Sequence, residues 1–220
     1  MSLKAELEAF RVEFMTKVPP EIRDAMTRAD QELLESGVLK RAIKAGDRAP
    51  DFTLPDARGS SVRLSSLLEK GPVVLSFYRG GWCPYCNLEL RGLQRSLPEF
   101  VGLGASLVAV SPQTPDESLS TADKNELEFS VLTDTNSRTA KAFGIAFDLA
   151  ENLRPIYARF GHALPDMNGD DSWVLPIPAT FIIDQNGIVA LAFVDVDYRN
   201  RLEPSEIVTV LQTLSARRAA

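Results

Sequence analysis

The residues best suited to chemistry are Cys83 and Cys86, the chain's two cysteines, separated by Pro84 and Tyr85. They lie in the run Phe77-Tyr78-Arg79-Gly80-Gly81-Trp82-Cys83-Pro84-Tyr85-Cys86-Asn87-Leu88-Glu89, between an apolar segment and a helical pattern. Pro84 suits the first position of a helix, where its missing N–H would have no partner anyway. Cys83 then falls at the N-cap and Cys86 three residues later. Residues three apart at a helix start are neighbours, so the two sulfurs can join with little backbone change. A helix N-terminus also offers unpaired N–H groups and the positive end of the dipole. Both favour a thiolate, which is the nucleophile. A buried structural pair and half of a zinc site are the competing readings. Zinc needs two further ligands, and His162 is the sole histidine. The strand–Pro–helix setting favours a redox pair that needs neither metal nor cofactor.

Several neighbours are candidates to support that pair. Trp82 and Tyr85 are expected to flank it and shield it from water, or simply to pack. Glu89, one turn beyond Cys86, can organise Arg79 through an ion pair or lie as an acid on the helix surface. The polar stretch from His162 to Trp173, with Asp166, Asn168, Asp170 and Asp171, reads as a lid or as a plain surface loop. Its acids do not match the spacing of a helix-loop-helix calcium site. Asp195, Asp197, Tyr198, Arg199 and Arg201 are expected to form a structural polar network, with lining of the site as the lesser alternative.

The elements that must position these residues follow from periodicity. Leu3, Leu7, Phe10 and Phe14 recur at helical spacing, and Pro19-Pro20 breaks the pattern. A second helix is expected over 21–36, ended by Gly37. Residues 1–44 therefore read as a helical arm, a packing element or dimer contact, which leaves room for a homodimer. Short strands are expected at 52–54 and 61–64, and buried strands at 73–78 and 105–110. Helices are expected over 84–97, 115–128 and 137–143. A further helix over 149–160 precedes an irregular stretch, 161–178. A hairpin, 181–184 and 188–193 around Gln185-Asn186-Gly187, leads to a last helix over 204–214. This order predicts an α/β domain over 45–220, with a central mixed sheet flanked by helices.

Composition narrows the function classes. The chain has 220 residues, is 45% hydrophobic and carries a net charge of −6. It is long enough to fold without disulfide staples. No basic stripe suggests nucleic acid, and no apolar stretch approaches a bilayer span. Glu6, Glu8 and Glu13 occupy what would be the apolar core of a signal peptide. A cytoplasmic protein is the expectation.

Three segments together carry a resemblance. They are Gly46-Asp47-Arg48-Ala49-Pro50-Asp51-Phe52-Thr53-Leu54-Pro55-Asp56, Val62-Arg63-Leu64-Ser65-Ser66-Leu67, and the cysteine run. They resemble the alkyl hydroperoxide reductase / thiol-specific antioxidant family, the peroxiredoxins, over about residues 45–215. That resemblance implies a thioredoxin-like fold and reduction of peroxides by a cysteine thiolate. Cys86 matches the attacking cysteine, Cys83 stands where a threonine is usual, and Glu89 matches an acidic position. Arg79 occupies a position that is usually proline. The family's arginine near the strand 181–184 is missing, and Ile177-Pro178-Ala179-Thr180 is found instead.

Trp82-Cys83-Pro84-x-Cys86 is similar to thioredoxin, as is a proline before Thr180-Phe181-Ile182, which implies a cis Pro178 beside the pair. Arg79 is then a candidate to replace the missing arginine. By the peroxiredoxin match Cys86 attacks and Cys83 resolves. By the thioredoxin match the roles reverse, and the N-cap position is the more exposed.

The expected function is a peroxide reductase that passes through an internal disulfide and is recycled by a thioredoxin- or glutathione-type donor. A protein thiol–disulfide reductase and a redox-sensing interaction module are the alternatives.

Overall fold

A computed structural model describes residues 1–219. The chain opens with α1 (Leu3–Lys17), α2 (Pro20–Glu35) and a short α3 (Val38–Arg41). Ser2 caps α1 by accepting the Ala5 N–H, and Pro20 starts α2 at a position where no N–H is needed. β1 (Thr53–Pro55) and β2 (Ser61–Arg63) form an antiparallel hairpin, followed by α4 (Leu64–Leu68).

The core is a five-stranded sheet. β3 (Val73–Phe77), β4 (Ser106–Ser111) and β5 (Ser130–Thr133) run parallel, while β8 (Ala179–Ile183) and β9 (Val189–Val194) pair antiparallel on the other side. The strand order is β5-β4-β3-β8-β9, so β3 is central. Every residue of β3 and β8 is buried, as continuous apolar runs covered on both faces require. Between them lie α5 (Pro84–Gly102), α6 (Pro115–Lys124), α7 (Arg138–Ala142), α8 (Arg154–Arg159) and α9 (Leu164–Asn168). The last helix is α10 (Pro204–Ala219). The mixed sheet flanked by helices is the thioredoxin-like α/β fold that the sequence predicts. Among the described residues, no helix is long and apolar enough to cross a membrane.

Three expectations change. α5 does not stop near Leu97 but continues through Pro98 to Gly102. Pro98 removes one backbone donor, but the extra turn carries Phe100 into the core with no exposed surface, which offsets that loss. The helix expected over 149–160 is interrupted, with a 3-10 turn at Glu151–Leu153 before α8, because Pro155 sits in its first turn. The irregular stretch contains α9 and then β7 (Val174–Pro176), which pairs antiparallel with β6 (Ala146–Asp148). Strands of three residues, one ending in proline, leave too little alternation to read.

The arm is not a loose appendage. Leu3 and Leu7 join the same core cluster as Leu90, Leu93 and Ile207. Glu203, just before α10, accepts the N–H groups of Leu3 at 3.0 Å and Lys4 at 2.9 Å. One carboxylate thus serves the unpaired first-turn donors of α1.

Candidate active site

Central β3 delivers the loop that carries the site. After Phe77 the chain stays in register for one more residue, as Tyr78 donates its N–H to Val110 O at 3.0 Å. Gly80 and Gly81 then turn it into α5. Gly81 is squeezed: a Cβ there would lie 2.1 Å from Thr121 Oγ1, so no other residue fits without displacement. Its N–H donates to Gln113 Oε1 at 2.7 Å. Cys83 is the N-cap of α5 with an extended backbone, and Pro84 is the first helical residue.

Asn87 fastens this start. Its Nδ2 donates to Gly81 O at 2.7 Å and Cys83 O at 3.1 Å, while its Oδ1 accepts from Asn125 Nδ2 at 2.8 Å. Asn87, Gln113 and Asn125 did not stand out in the sequence. Each acts through partners more than thirty residues away, or through backbone atoms that carry no sequence signal.

Both sulfurs are buried. Cys83 retains 2% of its surface and Cys86 none. The N-cap position therefore does not expose its sulfur as expected, because the arm and the 160s segment cover it. Both thiols are free, and they hydrogen-bond to each other. Burial opposes ionisation of Cys83. The hydrogen bond from Cys86 and the positive charges of Arg79 and Arg201 outweigh it and bring the thiol down to about 6. Burial, the hydrogen bond with Cys83 and the charge on Cys83 push Cys86 the other way, well above the usual thiol range. The two thiols titrate as one coupled pair, in which Cys83 is pushed toward ionisation and Cys86 away from it.

Arg79 is 3% exposed and enclosed by aromatic rings. Its guanidinium lies 4.3 Å from the Tyr198 centroid, 5.0 Å from Trp82 and 5.5 Å from Tyr157, and it hydrogen-bonds the Tyr157 hydroxyl. The expected Glu89–Arg79 ion pair does not form. Glu89, 1% exposed rather than on the helix surface, accepts from Arg201 Nε at 2.7 Å instead. Arg79 is held by rings, while Arg201 turns its Nε toward the carboxylate. Arg201 also donates through Nη2 to Cys86 Sγ at 3.4 Å. Arg201 thus lines the pair, the alternative that the sequence leaves open for this polar cluster. Burial pushes the Glu89 carboxyl up to about 7 against the pull of Arg201.

Tyr85 is buried, its ring edge-on to Tyr198 at 5.6 Å and to Phe10 of α1 at 5.0 Å. Trp82 stacks at a tilt on His162, 5.0 Å away, so the polar 160s segment does reach the site. Its acids make no cation cage: among the described residues no cluster of three His, Cys, Asp or Glu side chains is placed to hold a metal ion. A cavity of about 410 Å³ opens above Cys83, lined by Phe10 and Phe14 from α1 together with Trp82, Tyr157, His162 and Tyr198.

Pro178 is not cis; among the described residues every peptide bond is trans. X–Pro bonds are trans by default, and Pro178 links β7 to β8 with the preceding Ile177 N–H donating to Ile145 O at 2.8 Å. Pro178 lines a second cavity, of about 370 Å³, beside Asp30 and Phe147. It is absent from the cavity over Cys83 and offers that thiol no docking edge.

A model of the AhpC/TSA family matches residues 45–192. A Mycobacterium tuberculosis protein described as a peroxiredoxin is 34% identical over 114 residues, 52% of this chain and 74% of that one. Chloroplastic peroxiredoxin Q of Sedum lineare is 29% identical over 186 residues, covering 83% of this chain and 84% of its own. The crystal structure of peroxidoxin BcpB from Mycobacterium tuberculosis superposes with a TM-score of 0.61 at 26% identity, covering 78% of this chain and 97% of that one. With these likenesses beside a pair of buried thiols at a helix N-terminus on a thioredoxin-like sheet, the chain belongs to the AhpC/TSA family, the peroxiredoxins, and is a thiol peroxidase-type oxidoreductase.

Proposed function

We propose that this protein reduces peroxides through a Cys83–Cys86 disulfide cycle in which Cys83 attacks and Cys86 resolves. The observation that carries the reading is the placement of Cys83. It alone of the two lines the cavity, and its thiol is the one whose ionisation the surroundings favour. The family match puts Cys86 in the attacking position, but Cys86 has no exposed surface, does not line the cavity, and is pushed away from ionisation by burial and by Cys83.

The chemistry then runs in balanced steps. The Cys83 thiolate attacks one peroxide oxygen and the O–O bond breaks, leaving Cys83 as a sulfenic acid and releasing an alkoxide that takes up a proton. Cys86 loses its proton and attacks the Cys83 sulfur. The S–O bond breaks and hydroxide leaves. A thioredoxin- or glutathione-type thiol donor returns two electrons and reopens the disulfide. Arg79 lies beside Cys83 and offsets the cost of a buried thiolate. The surrounding rings keep bulk water from the sulfur. A small peroxide fits the cavity of about 410 Å³ over Cys83, whereas a folded protein disulfide would meet a sulfur with 2% of its surface free. This favours peroxidase over protein disulfide reductase.

The serine variants test the reading. With hydrogen peroxide and a dithiol donor, Cys86→Ser should form a sulfenic acid that a dimedone probe captures, and then stall. Cys83→Ser should not be oxidised at a comparable rate. The reverse pattern would assign the attack to Cys86, and full turnover in either variant would end the two-cysteine mechanism.

A further inference from the structure

We propose that Arg201, held in place by Glu89, is a catalytic residue of the resolving step, receiving negative charge on Cys86 once Cys83 has been oxidised. This rests on the reading above that Cys83 is oxidised first.

Two buried guanidiniums serve the pair, and they are not equivalent. Arg79 belongs to the β3–α5 loop and stands in its aromatic cage. Arg201 comes from the loop between β9 and α10 and is fixed on every arm. Its Nε binds Glu89 at 2.7 Å, its Nη1 donates to the carbonyls of Tyr198 and Asn200, and its Nη2 is left to Cys86 Sγ. Its side chain is 1% exposed and that of Glu89 is 2% exposed. An ion pair so deeply buried brings little net stability, since desolvation consumes most of its attraction. A neutral thiol gains little from a charged donor, and a thiolate gains much.

In the resting pair the charge on Cys83 itself opposes ionisation of Cys86. Oxidation to the sulfenic acid makes Cys83 neutral and removes that opposition. Arg201 is then a cation in direct contact with the Cys86 sulfur, so the negative charge moves from one sulfur to the other. The proton that Cys86 releases balances the one taken up by the departing alkoxide. The thiolate so formed attacks Cys83 and expels hydroxide. Glu89 does not touch either sulfur. It is a positioning residue that keeps the Arg201 fork aimed.

Single-turnover mixing with hydrogen peroxide separates the steps: sulfenic acid formation scales with peroxide, and disulfide closure does not. Arg201→Met should slow closure by about tenfold or more, the effect of one unit of thiol pKa, while slowing oxidation by under about threefold. Sulfenic acid should accumulate, and the pH midpoint of closure should move upward. Glu89→Gln and Arg201→Lys, which keep the volume or the charge, should give smaller shifts in the same direction. They carry the test if Arg201→Met does not fold. Unchanged closure, or equal slowing of both phases, overturns the assignment. A wild type with no peroxide-dependent phase would sink the peroxidase reading, and this inference with it. A normal first phase with unaltered closure sinks this inference alone.

Discussion

Asn125 donates its side-chain N–H to the Asn87 carbonyl oxygen at 2.8 Å, and Asn87 passes the constraint on to the backbone of Gly81 and Cys83. The geometry of the reactive N-cap is thus set by a residue on α5 and one at the end of α6. Asn87→Ala should leave the Gly81 carbonyl without its donor and the Cys83 carbonyl with only a backbone N–H, and cost about 1–3 kcal/mol in denaturant unfolding. Peroxide oxidation should also slow, because the Cys83 backbone loses its brace. Unchanged stability and rate would show that the network is decorative.

Protonation of Cys83 gives a pH test with a definite sign. Its folded value, about 6, lies below the 9.0 of a free thiol. Oxidation by peroxide should rise with pH, reach half its plateau near 6 and level off above. Because folding favours the ionised form, the stabilisation is complete above 9 and is lost as pH falls through about 6. The stability advantage of wild type over Cys83→Ser should therefore grow between those limits. Ultraviolet thiolate absorbance and denaturation at several pH values check both statements.

Arg79→Met should raise the Cys83 midpoint by about a unit, slowing oxidation about tenfold well below pH 6 and about twofold at pH 7. Arg79→Lys should recover only part of this, since an ammonium cannot stack among three rings and bind the Tyr157 hydroxyl at once. Full recovery by lysine would reduce the cage to simple charge.

Gly81→Ala should disrupt the loop. The new methyl would meet Thr121 Oγ1 at 2.1 Å and must displace either α6 or the N-cap. The paired change Gly81→Ala with Thr121→Ala should regain part of the lost oxidation rate. No regain would place the fault elsewhere than in that collision.

Leu3→Ala truncates a side chain only 2% exposed, packed near Gly92 of α5. Such a cavity costs about 2–5 kcal/mol. Equilibrium unfolding that shows no loss would mean α1 contributes nothing to the core.

Local signals reached a good part of this arrangement. Pro84 announced the helix start, and the buried runs over 73–78 and 105–110 announced a sheet with that helix behind it. The charged partner of Glu89 was not legible. Arg79 is close in sequence, and nothing local says that Arg201, 112 positions away, takes the carboxylate instead. Pro178 misled because thioredoxin-like flanking residues suggested a cis bond, whereas the peptide keeps the trans form that most prolines adopt. The burial of Cys83 was hidden for the same reason: its cover comes from α1 and from the 160s, segments that carry no mark of what they lie over.

The Glu203 latch on Leu3 and Lys4 has a practical corollary. The stretch matched by the family model stops short of α10 and begins after the arm, yet Leu7 at one end and Leu211 at the other pack into the cluster that holds both sulfurs. A fragment trimmed to the family boundaries would expose raw apolar seams on either side of its reactive centre. Clipping the front of the chain would be felt at the back, two residues from the arginine that contacts Cys86.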